Sequence, residues 1–168
     1  MDRLKGEKMG KVLKLFGNGY PGAVSRSIDH IIISLRNASG GEIPFGAPVF
    51  LVSGEKACTV FDPSSSAAGN FLGFAVRAAD KTPDVYGSSQ ASFAPNDPVD
   101  ILVRGSVVLK FTGAVPPNAG VYIRKSDGAV MAVAGEEGTS LQLPNVTVRT
   151  PRDSGACAEV VLTKRNCM

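Results

Sequence analysis

Gly19-Tyr20-Pro21-Gly22-Ala23-Val24-Ser25-Arg26-Ser27 runs into an apolar stretch, and Glu42-Ile43-Pro44-Phe45-Gly46-Ala47-Pro48-Val49 follows it. The first segment is a Gly/Pro hinge. The second is an apolar run interrupted by proline and glycine. Together they read as an extended arm, residues 1–26, feeding a β domain, residues 27–168. A proline cannot donate to a strand ladder. Pro44 and Pro48 therefore predict that the 43–52 run is an edge, is bulged, or pairs on one side only.

Outward from these segments, β-branched and aromatic residues gather in short runs separated by Gly, Pro, Asn, Asp and Ser. The predicted strands are 28–35, 43–52, 57–61, 71–78, 99–103, 106–111, 120–125, 129–134, 140–143, 145–149 and 157–164. The clearest hairpin joins Val121-Tyr122-Ile123-Arg124-Lys125 to Ala129-Val130-Met131-Ala132-Val133 through Ser126-Asp127-Gly128. Asp-Gly suits the positive φ values of a tight turn. Many short strands at close spacing predict an all-β fold, a compact sandwich or small barrel. The expected core residues are Ile31, Ile33, Phe45, Val49, Leu51, Phe74, Val76, Ile101, Val107, Leu109, Ile123 and Val161. Segments 62–70 and 79–98 are polar and turn-rich. The first reads as a solvated loop. In the second, Val85, Tyr86 and Phe93 are large for a free loop.

The arm has its own character. Residues 1–26 hold six basic side chains (Arg3, Lys5, Lys8, Lys11, Lys14, Arg26) against Asp2 and Glu7, a net +4. The remainder holds 12 basic and 13 acidic residues, a net −1. A near-neutral body argues against a nucleic-acid-binding face. A basic arm suits an acidic protein surface or nucleic acid, or is simply a solvated tail. Met9, Val12, Leu13 and Phe16 recur at helix spacing. Gly6 and Gly10 each cost a helix roughly 1 kcal/mol, so residues 11–16 equally suit a strand added to a neighbour's sheet.

The 168 residues suffice to bury a core, and 43% hydrophobic with 20% charged residues reads as soluble and globular. The apolar runs are too short to span a membrane, and no signal-peptide pattern opens the chain. Cys58, Cys157 and Cys167 are odd in number and widely spaced, which reads as idle thiols in a reducing cytosol.

The catalytic search finds little. The one histidine, His30, precedes three isoleucines and reads as the polar end of a strand. Neither zinc nor calcium ligand patterns are present. Asp80, Asp84, Asp97 and Asp100 lie in or beside the long loop, and Asp97 reads as a turn former. Glu136-Glu137, between two glycines, reads as an exposed turn. No P-loop, dinucleotide fingerprint or nucleophile elbow occurs. No catalytic residue, cofactor or metal is expected.

The order G-x-P-G-x-x-S-R-S, then P-F-G-x-P-V, resembles the structural cement (capsid decoration) proteins of tailed phages. The resemblance continues through Phe71-Leu72-Gly73-Phe74-Ala75-Val76-Arg77 and Asp100-Ile101-Leu102-Val103-Arg104-Gly105-Ser106-Val107. It implies a virion protein, made in the host cytoplasm, that binds the outer face of the major capsid protein lattice. It implies no membrane and no direct nucleic-acid contact. A homo-oligomer, with a trimer favoured, would suit three-fold sites. The expected interface residues are Lys8, Lys11, Val12, Leu13, Lys14, Leu15, Phe16, Tyr20 and Arg26. Two other classes compete. A carbohydrate-binding sandwich needs exposed aromatic platforms, but the chain has no Trp and three Tyr. A trimeric dUTP hydrolase shares the length and β content, but its Asp and Tyr-x-Gly substrate motif is missing.

Overall fold

The computed structural model describes residues 19–78, 92–150 and 157–166. Eleven strands run through them: β1 (Val24–Asn37), β2 (Ile43–Pro44), β3 (Pro48–Leu51), β4 (Ala57–Val60), β5 (Phe71–Ala75), β6 (Ser92–Phe93), β7 (Pro98–Lys110), β8 (Gly120–Arg124), β9 (Val130–Met131), β10 (Ser140–Val148) and β11 (Cys157–Leu162). The one helical feature among the described residues is a 3-10 turn at Ala68–Asn70.

β7 organises the molecule. On one edge it pairs with β1. On the other, its first half pairs with β5 and its second half with β11. The path β1-β4-β3-β5-β7 returns to β1, so five strands close into a barrel. Closure passes through a narrow bridge, in which Arg36 and Asn37 pair with Ala57 and Cys58 in parallel. From β11 the sheet continues through β10 and β8 to β9. The fold is all-β, and it combines the two expected architectures: a small barrel with a sheet packed on its flank.

Two hydrophobic cores follow from side-chain alternation, since successive strand residues face opposite ways. Val49, Cys58, Leu72, Ala75, Val99, Ile101 and Val103 fill the barrel, and Ile43, Phe45 and Phe93 join them from the β2–β6 ladder. Phe50, Phe71, Phe74 and Leu102 point the other way, onto Val121, Ile123, Leu143, Val148 and Val160 of the flanking sheet. β5 is buried at every position because both of its faces are covered.

Glycine makes this double use possible at two places. In β7, odd residues up to Val103 face the barrel, while Val107 and Leu109, with Phe111 just past the strand, face the second core. The phase flips at Gly105, whose φ of +121° suits no side chain. The predicted strands 99–103 and 106–111 are therefore one strand, because Gly105 bends the ladder without ending it. In β5, a Cβ on Gly73 would lie 2.0 Å from the Leu102 carbonyl oxygen. Only a glycine lets β5 and β7 approach so closely.

Other departures from the sequence reading have physical causes. The 43–52 run splits at Gly46 into β2 and β3. Pro48 opens β3, and a bulge between Val49 and Phe50 interrupts its pairing with β5. β3 is nevertheless an interior strand, paired on both sides. Runs 140–143 and 145–149 merge into β10, with Asn145 at φ +58° and a shifted register against β8. In the 121–133 hairpin only Gly128 of the Asp-Gly pair takes positive φ. Asp127 instead receives two hydrogen bonds from Arg124, which hold its carboxyl down to about 2. β6 arises from the segment read as loop, because Phe93 is buried in the barrel core. Of the expected core, Ile31, Ile33 and Leu51 are only half-buried at its margin. At β11 the phase is off by one: Val160 and Leu162 are buried and Val161 is not.

Gly73→Ala should lower stability by about 3 kcal/mol, at or beyond the upper end of ordinary overpacking. Gly69→Ala, which meets nothing within 4 Å, should change it little. Urea unfolding midpoints of the two variants check the contrast, and equal midpoints would contradict the described β5–β7 approach.

Candidate interface at the root of the N-terminal arm

The chain enters the described body through a tight turn. Ala23 donates its N–H to the Tyr20 carbonyl at 3.0 Å. Pro21 and Gly22 occupy the central positions, and Gly22 has φ +78°, the pattern of a type II turn. Gly22 is buried. Its N–H donates to the Val108 carbonyl at 2.9 Å, and its carbonyl accepts from Arg77 at 2.9 Å.

The two glycines of the opening motifs meet here. A Cβ on Gly22 would lie 2.9 Å from the Gly46 nitrogen, and one on Gly46 would lie 3.0 Å from the Gly22 nitrogen. Gly46 donates its N–H to the Ala75 carbonyl at 2.7 Å. The three motifs G-Y-P-G, P-F-G and F-L-G-F-A-V-R thus converge on one knot. Their common order in the sequence reflects one three-dimensional contact.

An aromatic and cationic cluster covers that knot. The Arg77 guanidinium lies 5.4 Å from the Tyr20 ring centre and 5.3 Å from that of Phe45. Phe93 meets Phe45 edge-on at 5.3 Å. Each cation–π contact is worth about 0.5–1 kcal/mol at a partly exposed site. Buried Asn37 fixes the chain around Phe93. Its amide nitrogen donates to the carbonyls of Gly41, Phe93 and Ala94. Its side-chain oxygen accepts from the Ser39 N–H and hydroxyl.

The Ser-Arg pair of the first motif has a separate task. Ser25 and Arg26 both donate to one carboxylate oxygen of Glu159 on β11, at 3.0 and 2.9 Å. Burial alone would raise the Glu159 carboxyl. The hydrogen bonds from Arg26 and Ser25, and the charges of Arg26 and Arg149, outweigh it and hold the carboxyl below its usual range. This clamp ties the start of β1 across β7 to β11.

Of the residues expected at an interface, Tyr20 sits in the cluster, exposed and stacked on Arg77. Arg26 is engaged inside the molecule by Glu159. Lys8, Lys11, Val12, Leu13, Lys14, Leu15 and Phe16 lie outside the described residues, as do Asp80, Asp84, Val85, Tyr86 and Cys167. The sequence reading did not single out Phe45, Arg77, Phe93, Asn37 or Glu159 for this site. The signal that points to them is the spacing of the motif glycines, which makes sense only when they touch.

His30 is exposed on β1. Cys58 is buried, which pushes its thiol up to about 11, and Cys157 is raised by burial too. A protonated thiol is a poor nucleophile. Among the described residues, no group of three or more His, Cys, Asp or Glu side chains is placed to hold a metal ion.

The family model "Structural cement protein (E217 gp24/Pam3 gp6)" matches residues 11–163. The chain belongs to this structural cement protein family. It is a phage virion protein with a capsid-stabilising role. The match begins inside the arm and covers the body. The cement fold is also similar to a chain in the structure titled "The capsid of Myoviridae Phage XM1". The TM-score is 0.67 at 15% identity, over 89% of this chain and 92% of that one. A looser similarity, at TM-score 0.41 and 7% identity over 81% of this chain and 98% of that one, is to the head fiber gp8.5 N base of bacteriophage phi29. It carries no argument. No curated protein matches the chain.

The Glu159 clamp carries a pH signature. A carboxyl held low in the folded state adds stability above its ordinary value of 4.5 and loses it as pH falls through the lowered one. The wild-type protein should therefore melt higher than Glu159→Gln at neutral pH, and the gap should close in acid. Thermal melts from about pH 7 to pH 3 check this, and a gap constant across that range would contradict it.

Proposed function

We propose that the protein binds the outer face of the assembled major capsid protein lattice, at junctions between subunits, and catalyses no reaction. The observation that carries this reading is the family match over arm and body together. The physical logic is linkage. A ligand that binds the assembled lattice but not free subunits shifts the balance toward the lattice. Several copies held as a closed oligomer, a trimer at three-fold sites, add avidity across a junction.

The division of labour follows the charge. The body supplies a rigid block near neutrality. The basic arm supplies Lys8, Lys11 and Lys14 for acidic groups, with Val12, Leu13, Leu15 and Phe16 for apolar contact, on the capsid or on a neighbouring copy. A segment that orders on binding gives up conformational freedom at that moment, so it contributes only when its partner surface exists. The Tyr20–Arg77–Phe45 cluster fixes where the arm leaves the body. The buried thiol of Cys58 supports a role without chemistry.

Deleting residues 1–18 should weaken attachment to empty shells at least tenfold in co-sedimentation, with the far-UV circular dichroism still that of a β protein. Charge reversal at Lys8, Lys11 and Lys14 should weaken attachment and flatten its dependence on salt. A truncated protein that decorates shells as tightly as the full chain would refute the role of the arm. A full chain that fails to co-sediment at all would refute capsid binding.

A further inference from the structure

β1 is hydrogen-bonded along one edge to β7, from Val24 to Arg36. On its opposite edge only Arg36 and Asn37 are paired, with β4. Among the described residues no strand occupies that edge over residues 24–35. Residues 32–35 keep regular register with β7, and their unpaired edge, open among the described residues, forms a ready template for another strand.

This edge also carries exposed apolar side chains. The large hydrophobic residues left exposed are Tyr20, Ile28, Ile32 and Val133. Three of these four lie on or just before β1, and Ile28 is 100% exposed. Ile28 projects from a built feature. Between the pairs Arg26–Ser106 and Ile31–Arg104, five steps along β1 match two along β7, so residues 27–30 bulge outward. Gly105 lies beneath this bulge. A Cβ there would be 3.0 Å from the His30 Cα. Asp29 is held at the side by Arg104 at 2.8 Å.

We propose that the open edge of β1, with Ile28 and Ile32, receives residues 11–16 of the arm of a second copy as an added strand. This rests on the function proposed above and names one partner surface of the arm in it, and it leaves Lys8, outside the added strand, available to the capsid. Three observations select this occupant. First, the arm is long enough. The eight residues from Lys11 to Gly19 span at most ~28 Å when extended, beyond the radius of gyration of about 15 Å of a compact domain of this size, so the segment reaches a copy packed beside the arm's root. Second, the segment Lys11-Val12-Leu13-Lys14-Leu15-Phe16 is apolar, free of Pro and Gly, and included in the family match. It suits strand addition, in which backbone bonds supply affinity and side chains supply specificity. Third, the arm's own body is badly placed to receive it. Gly22 and Ala23 are bonded to Val108 of β7, and Gly19 lies against the Val108 side chain. The chain therefore enters on the β7 side, away from the open edge. The Ala23 carbonyl, which would continue a hairpin with Tyr20, accepts from Val108 instead.

Complementation tests the contact on full-length protein. The edge variant Ile28→Glu/Ile32→Lys keeps an intact arm. The arm variant Leu13→Asp/Phe16→Asp keeps an intact edge. Sedimentation velocity should show that the wild-type protein self-associates and that each variant alone does so at least tenfold more weakly. Mixing the two variants should restore a mixed complex. Circular dichroism of each should match the wild type, and β1 amides should gain hydrogen-exchange protection with protein concentration only when an intact arm is present. A wild-type protein that stays monomeric, an arm variant that associates normally, or a mixture that stays dissociated would each overturn the proposal. An edge variant that associates normally but no longer co-sediments with shells would overturn it too, and would assign the edge to the capsid protein. Wild-type binding to shells is measured separately, so failure of this contact leaves the cement role standing.

Discussion

One strand has to serve two cores, and the rest of the molecule is arranged around that constraint. The odd-numbered residues of β7 face the barrel at Val99, Ile101 and Val103 and the flanking sheet at Val107 and Leu109. A continuous alternation would keep the odd-numbered residues on the barrel side throughout. The phase must slip once, and it slips at Gly105, in a backbone conformation that L side chains rarely adopt. β1 follows the slip by bulging at residues 27–30. Below it, β5 takes the first half of the β7 edge and β11 the second. The result is a small barrel and an open sheet sharing one backbone. Neither half can rotate against the other without breaking the pairings of β7.

Stiffness is what a cement protein has to offer a shell. The same economy is visible at the root of the arm. The turn at Tyr20–Ala23 is not a loose tether. Gly22 is buried against Gly46, and its backbone is bonded to both Val108 and Arg77. Ser25 and Arg26 then lock β1 to Glu159. Residues 20–26 therefore belong to the folded body and are held at both ends.

Much of this was legible in the sequence, and the reasons differ by element. Short runs such as 57–61 and 120–125 read correctly because turn residues bound them on both sides. The long strands β7 and β10 read as two each, because glycine and proline in a run mimic an ending when they only mark a slip in phase. Val161 reads as a core residue because a run of apolar residues has no phase of its own; burial on both faces hides it. Phe93 was visible as out of place in a loop, but its partner Ile43 lies fifty residues away, and nothing local announces that pairing. Around the candidate site, the motif glycines stood out as turn formers, whereas their mutual contact is a property of the fold. Arg77 reads only as the end of a motif and Glu159 as one acidic residue among many, since each becomes distinctive only beside Tyr20 and Phe45, or beside Ser25 and Arg26.

Cementing is a thermodynamic claim about the shell, so the shell is where it is tested most directly. Differential scanning calorimetry of empty capsids with increasing amounts of the full-length protein measures the melting temperature of the lattice itself. Linkage predicts a rise that continues with the logarithm of free protein after the sites are filled. Capsids that bind the protein stoichiometrically yet melt at an unchanged temperature would contradict the account.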